Sequence, residues 1–338
     1  MSSAAALLEM QNLRVSYRTS RGLVPAVRGV DLTIRAGECV GVAGESGCGK
    51  STLASTVLRL QPSNAEVTGQ VRVEGNDVLS MRWGDLRTLR WAGASMVFQG
   101  ALHSLNPVRR IGVQIAEPIR LHEGCGEEEA RVRVADLLGQ VGLPQRRADA
   151  FPHQLSGGQR QRVMIAMALA CRPRLVIADE PTTALDVMVQ AQVLGLLTAL
   201  VRELNLGLLL ISHDLSVLGT TCDRVVVMYA GQIVESGPAT AVFDDPRHPY
   251  SAALASAFPR IGDPAARRAP RGLPGDPPDL ADLPSGCVFH PRCSLAESSC
   301  EQHVPRLLPV LPDRPVACLR AENDPELVPR ARRSAAPA

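Results

Sequence analysis

The 338-residue chain lacks any long apolar run. Apolar runs such as Leu206-Gly207-Leu208-Leu209-Leu210-Ile211 fall far short of the roughly 20 residues that span a bilayer, which excludes a membrane-crossing helix. Charge of one sign is missing too. The 36 basic and 34 acidic residues leave a formal charge of +2, too weak a field to recruit nucleic acid or anionic lipid without a local site. Met1 to Glu9 carry no basic segment followed by an apolar run, so no secretory signal is expected. That points to the cytosol, where thiols stay reduced. The nine cysteines therefore need an explanation other than a disulfide scaffold, and four of them fall between Cys287 and Cys318. Apolar residues make up 45% of the chain, ample for a buried core, so disorder of the whole is excluded. The length allows one large α/β domain with an appendage, or two domains.

The octapeptide Gly44-Glu45-Ser46-Gly47-Cys48-Gly49-Lys50-Ser51 fits the phosphate-binding pattern G-x-x-x-x-G-K-[ST]. It follows a strand-like run, Cys39-Val40-Gly41-Val42-Ala43, and precedes a helix expected from Thr52 to Leu60 and ended by Pro62. Glycines let the backbone N–H groups turn toward phosphate oxygens, and a helix N-terminus adds partial positive charge. In this pattern Lys50 reaches the β- and γ-phosphates and Ser51 ligates Mg²⁺. The chain is expected to handle a nucleoside triphosphate. Kinase, GTPase and transport ATPase all stay open at this point.

Residues 7–43 read as strands and turns, and residues 101–155 as helices inserted into an α/β core, notably Glu127 to Val141. Leu175-Val176-Ile177-Ala178 reads as a buried strand ending in Asp179-Glu180. Val187 to Leu204 is an amphipathic helix, and Leu208 to Ser212 and Val225 to Tyr229 are further strands. Strands alternating with helices imply a mainly parallel sheet. Prolines crowd between Pro246 and Pro291, a density expected to exclude helix and sheet. The polar, Pro/Ala/Arg-rich end from Ala321 to Ala338 is expected to be disordered.

Leu155-Ser156-Gly157-Gly158-Gln159, ahead of a helix running to about Cys171, resembles the signature motif of the ATP-binding cassette (ABC) family. Other pieces fall in family order along residues 7–243. Gly44 to Thr52 resemble the Walker A loop, with Gly44, Glu45, Ser46, Gly47, Cys48, Gly49, Lys50, Ser51 and Thr52 all carried over as nucleotide-binding. Gln99 resembles the Q-loop glutamine and Asp179 the Walker B aspartate, with Glu180 the adjacent catalytic carboxylate. Ala184-Leu185-Asp186 resembles the D-loop, His213 the switch histidine and Tyr17 the aromatic that stacks on adenine. The resemblance implies a P-loop ABC ATPase fold, α/β in class, with a mainly parallel core sheet, an antiparallel β subdomain and a helical subdomain.

These residue types suit the reaction. Phosphoryl transfer to water is catalysed by positioning and by neutralising charge on the phosphate oxygens. Lys50 and Mg²⁺, held through Ser51, Gln99 and Asp179, would supply that charge. Glu180 would polarise the attacking water, and His213 would hold Glu180 and the water in line. Ser156 is placed to cap the helix after it, leaving Gly157 and Gly158 free to approach a phosphate. In the family this surface, with Gln159 and Asp186, meets ATP held by another cassette. One copy carries half of each site, so the chain is expected to pair with itself or with a related ATPase.

Ser104-Leu105-Asn106-Pro107-Val108, Arg247-His248-Pro249-Tyr250 and Gly286-Cys287-Val288-Phe289-His290-Pro291-Arg292-Cys293 resemble the oligopeptide and dipeptide importer ATPases. The resemblance implies a peripheral subunit on the cytoplasmic face of the membrane, beneath two transmembrane permease subunits served by an extracytoplasmic peptide-binding protein. It favours a heterodimer of ATPases and no nucleic-acid partner. The helices of residues 100–155 would receive the permease, or act simply as a helical lid. Import of another solute, such as nickel or an opine, is the alternative, as is a soluble cassette acting on nucleic acid or ribosomes. The expected layout is a cassette over 1–245 with a helical subdomain at about 101–172. A Pro-rich arm over 246–285, a four-cysteine extension over 286–320 and a tail over 321–338 complete it.

Cys287, Cys293, Cys300 and Cys318 are separated by five, six and seventeen residues. Four thiolates suit a tetrahedral zinc or a [4Fe–4S] cluster, and the spacing matches neither common zinc ribbons nor bacterial ferredoxins. The resemblance favours iron–sulfur, because some peptide importer ATPases carry such a cluster at matching cysteines. Zinc and metal-free structural thiols stay open, with His290 and His303 as lesser ligand candidates. Cys48 takes a variable place where the family often has serine and reads first as a tolerated small residue; the other reading is a reactive thiol, its pKa lowered by nearby phosphates and a helix N-terminus. Cys39, Cys125, Cys171 and Cys222 read as small apolar residues.

Overall fold

The computed structural model describes residues 6–98, 104–183, 185–257 and 273–334. Two sheets organise it. The smaller is antiparallel, in the order β2-β1-β4-β5, built from β1 (Ala6–Thr19), β2 (Gly22–Arg35), β4 (Ala65–Val73) and β5 (Asn76–Asp77). The larger contains β3 (Cys39–Ala43), β6 (Ala94–Val97), β7 (Leu175–Asp179), β8 (Gly207–Ile211), β9 (Arg224–Tyr229), β10 (Gln232–Pro238), β11 (Leu308–Leu311) and β12 (Arg314–Val316). Its order is β11-β12-β10-β9-β3-β8-β7-β6, with β9, β3, β8, β7 and β6 parallel.

All five residues of each of β3, β7 and β8 are buried, as strands covered on both faces require. Alternate side chains serve different cores. Val40, Val42, Leu209 and Ile211 pack with Leu53 and the antiparallel sheet, while Leu208 and Leu210 pack with the helices on the other face. The parallel register aligns the strands' carboxyl ends, pairing Val42 with Ile211 and Asp179 with Ile211. The phosphate loop, Asp179-Glu180 and Ser212-His213 therefore leave the sheet at one edge, the usual ligand-binding edge of such sheets.

The inserted helices are present as Ile111–Glu123, Glu127–Gln140 and Gly157–Leu169. The helix after the phosphate loop is shorter than expected, Lys50–Val57, and stops well before Pro62.

Two expectations about the C-terminal part need correction. Within 246–285, where prolines were expected to exclude regular structure, Pro249–Ala257 forms a helix. A proline at the first helical position costs no hydrogen bond, so Pro249 starts this helix instead of breaking it. The end beyond 320 is not a loose tail among the described residues: helices cover Leu319–Asn323 and Leu327–Ser334, and Ala321 and Val328 are buried. Arg247, itself paired with Asp245, anchors this end through the Pro325 carbonyl at 2.7 Å and through an ion pair with Glu326. The extension also joins the core. Its β12 pairs with β10, continuing the core sheet.

Candidate functional site

The phosphate loop links β3 to the helix Lys50–Val57, and its shape depends on glycine at Gly49. There φ is +101°, and a Cβ would stand 2.2 Å from the Ala26 carbonyl oxygen. Lys50, the only lysine of the chain, is buried and folded back on the loop, donating to the carbonyls of Gly44 at 2.7 Å and Glu45 at 2.8 Å. Tyr17, half-buried on β1, brings its hydroxyl to 3.2 Å from Thr52 Oγ1, so it borders the loop as expected.

Across the sheet edge, Asp179 ends β7 with Oδ1 buried and without a hydrogen-bond partner. Burial pushes its carboxyl above the usual range, and the nearby Glu180 adds to this, while the Ser51 hydroxyl and Lys50 pull the other way. A partnerless acceptor beside Ser51 is what a hard divalent cation between them would satisfy, so the residues fit magnesium. Glu180 adopts φ +44°, a left-handed conformation that non-glycine residues seldom take. Its Oε2 accepts from Thr183 Oγ1 at 3.0 Å and its Oε1 lies 3.4 Å from His213 Nδ1. The expected pairing of Glu180 and His213 is therefore present. Gln99 and Ala184 lie outside the described residues.

In the signature segment Leu155 is buried, Ser156 is exposed and Gly157, Gly158 and Gln159 are half-buried. Ser156 caps the helix Gly157–Leu169 in a reciprocal box with Gln159: Gln159 N–H donates to Ser156 Oγ at 3.3 Å, and Ser156 N–H donates to Gln159 Oε1 at 3.2 Å. At Gly158 a Cβ would come within 2.5 Å of Val189, so the helix that Asp186 caps can approach only a glycine. The geometry supports the expected capping by Ser156 and gives Asp186 a capping role of its own.

Of the two readings of Cys48, the structure opposes the readily ionised thiol. Its thiol is buried, and desolvation raises its pKa more than Lys50, Nζ at 3.7 Å, lowers it. Nor are Cys39 and Cys222 merely scattered: their sulfurs stand 3.3 Å apart.

The four late cysteines converge. Together with His248 and His290 they line one cavity of about 10 Å³, roughly the space of a single water. Burial lifts the Cys287 and Cys293 thiols to about 11 and raises Cys318 as well. Among the described residues no group of three or more His, Cys, Asp or Glu side chains stands in a metal-ligating arrangement. His303 is exposed and does not line the cavity.

Several residues without a sequence motif hold this region together. Glu235 is fully buried and accepts from the Arg247 and His248 amides, both at 2.9 Å, and from Arg314 Nη2 at 2.8 Å. His248 is buried so completely that its pKa falls to about 3, leaving a neutral ring whose Nδ1 accepts from the Tyr250 amide at 3.0 Å. Arg292 pairs with the carboxylate of Glu45 in the phosphate loop. A buried glutamate that meets one guanidinium and two backbone amides has no local sequence signature.

Comparison with known proteins agrees with this geometry. Residues 27–183 match the ABC transporter family, and residues 234–300 match the oligopeptide/dipeptide transporter C-terminal region. The chain is 46% identical over 319 residues to the oligopeptide transport ATP-binding protein OppD of Salmonella typhimurium, covering 94% of each chain. It is 48% identical over 304 residues to a putative peptide import ATP-binding protein of Brucella abortus, covering 89% of this chain and 91% of that one. Among solved structures, the dimeric ABC transporter cassette MJ0796 aligns with a TM-score of 0.62 at 28% identity, over 69% of this chain and 98% of that one. CbiO1 of Clostridium perfringens, part of the ABC transporter complex cbiONQ, aligns with a TM-score of 0.62 at 29% identity, over 71% of this chain and 91% of that one. With a loop for phosphates, a carboxylate pair and a capped signature helix on one cassette fold, the chain belongs to the ABC transporter family of ATP-binding cassette ATPases.

Proposed function

We propose that this chain is the ATPase subunit powering import of di- and oligopeptides, seated on the cytoplasmic face of the membrane under two permease subunits. The observation that carries the reading is the match of its C-terminal region to that of oligopeptide and dipeptide transporters, joined to a cassette whose catalytic groups meet at one sheet edge.

In this reading ATP lays its phosphates on the amides of the loop from Ser46 to Thr52, with adenine against Tyr17. Lys50 leaves the Gly44 and Glu45 carbonyls for the β- and γ-phosphates. Ser51, Gln99 and Asp179 would hold magnesium, which when bound neutralises charge on the phosphate oxygens. Glu180 takes the proton of the attacking water, and His213 keeps its carboxylate aimed. Ser156, Gly157, Gly158, Gln159 and Asp186 serve the ATP of a partner cassette, a sister ATPase rather than a second copy. ATP closes the pair and hydrolysis opens it. A groove of about 700 Å³ between the helices Ile111–Glu123 and Glu127–Gln140, edged by the exposed Val113 and Leu121, suits a permease segment.

The test is uptake of a labelled tripeptide by cells with and without this chain. Glu180→Gln should lower ATP turnover and uptake by roughly 10²-fold or more while ATP binding persists. Uptake indifferent to the chain, or loss of nickel uptake instead, overturns the peptide reading.

We propose further that Cys287, Cys293, Cys300 and Cys318 hold an iron–sulfur cluster, with zinc as the other candidate. Four soft donors around one cavity support this, although a space of about 10 Å³ must widen to admit either. Anaerobic purification should yield about four irons and four sulfides per chain, lost in Cys287→Ser. Zinc instead would make the extension a structural clasp, and a metal-free protein would reject both.

A further inference from the structure

The contacts of Glu45 converge from three directions. Its carbonyl accepts from Lys50 Nζ at 2.8 Å, its amide donates to the Tyr250 hydroxyl at 2.8 Å, and its carboxylate takes both arms of the Arg292 guanidinium, at 2.7 and 2.9 Å. Tyr250 and Arg292 both lie beyond the expected end of the cassette at residue 245. Arg292 sits in the turn His290–Arg292, immediately before Cys293.

Arg292 is itself fixed. Its side chain is 7% exposed, and Nε and Nη2 also donate to the Pro274 and Gly275 carbonyls at 2.7 and 3.1 Å. Nη1 donates to the Tyr229 hydroxyl at 3.3 Å, and the guanidinium lies over the Tyr229 and Phe289 rings at 5.8 and 6.0 Å. Tyr229, Tyr250 and Phe289 pack on one another with ring centres 4.6 to 5.4 Å apart, so the support is a rigid aromatic cluster. A planar guanidinium in bidentate contact fixes orientation as well as charge, which a lysine cannot reproduce.

We propose that Arg292 is a positioning residue of the nucleotide site: the cysteine-bearing extension reaches back through Arg292, with Tyr250, to hold the phosphate loop in its ATP-receiving shape. The loop then enters the complex already ordered, and ATP does not spend binding energy ordering it. Glu45 accordingly serves the loop and not the nucleotide: its carboxylate faces Arg292. The inference concerns ATP binding and stands apart from the identity of the imported solute.

The test is ATP affinity of the full chain, measured by calorimetric titration, with steady-state turnover in the transporter complex. Arg292→Ala should raise Kd and KM for ATP about tenfold, equivalent to about 1.4 kcal/mol, with kcat within about twofold. Glu45→Gln should act similarly, and the double variant should be no worse than the weaker-binding single one. Arg292→Lys should fall between, and Tyr250→Phe, which removes one oxygen and keeps the ring, provides a second readout if Arg292→Ala does not fold. An unchanged Kd overturns the proposal. So do fewer binding sites per chain at unchanged Kd, the mark of a purely structural role, or strictly additive effects of the two changes.

Discussion

The nucleotide site and the cysteine-bearing extension face each other across Glu45, and they are built on opposite principles. The site is made of short contiguous segments, and it is left incomplete: the His213 side chain is 54% exposed, Ser156 is at the surface and the buried Asp179 keeps an oxygen without a partner. The extension is held by contacts between residues far apart in the chain, such as Arg314 with Glu235, whose side chains are 7% and 0% exposed. His213 and Ser156, proposed to meet ATP and a second cassette, are kept accessible. Groups that must hold the frame are buried and paired.

The largest break in that comparison comes from removing the buried acceptor. Glu235→Ala leaves the Arg314 guanidinium without its carboxylate and two backbone amides without theirs. Stripping one partner from a buried pair costs about 3–5 kcal/mol. The midpoint of urea unfolding should fall accordingly, and proteolysis should begin beyond residue 245. Because Arg292 links the extension to Glu45, ATP affinity should drop in the still-folded fraction. A variant whose extension becomes protease-sensitive while ATP binding is unchanged would show the two regions to be independent.

How much of the molecule is legible in the sequence follows the same division. Gly44 to Ser51 are readable because a phosphate loop needs fixed residue types at a fixed local spacing, and Asp179-Glu180, Ser156 to Gln159 and His213 through their resemblance, in order, to the motifs of the cassette family. The alternating strands and helices are readable because burial on both faces imposes continuous apolar runs such as β3 and β8. Arg292 and Glu45 are 247 positions apart, and Arg314 and Glu235 are 79 apart, so no local pattern records either pair. Proline density misled for a related reason. It marks where helices cannot continue, but Pro249 opens one, and the buried Tyr250 and Leu254 that stabilise that helix draw their neighbours from elsewhere in the chain.

Cys48 offers the smallest effect and separates local from tertiary reading. Its place beside Lys50 at the start of a helix argues for an easily ionised thiol, whereas its burial argues for the reverse, and burial is the larger influence. With the folded-state pKa raised above the ordinary thiol value, the thiol stays protonated at pH values where an unfolded chain has already begun to lose the proton. Alkylation of Cys48 by iodoacetamide at pH 8 should therefore be slower in the native protein than after unfolding in urea, and should accelerate only as pH rises past the ordinary thiol range. The same pKa shift means stability is unaffected below that range and declines above it, as the unfolded state gains by ionising. Peptide mass spectrometry against pH reads this directly. Rapid labelling of native Cys48 at pH 7 would mean that the loop's local field outweighs its burial, and the nucleotide site would then be as open at its base as it is at its rim.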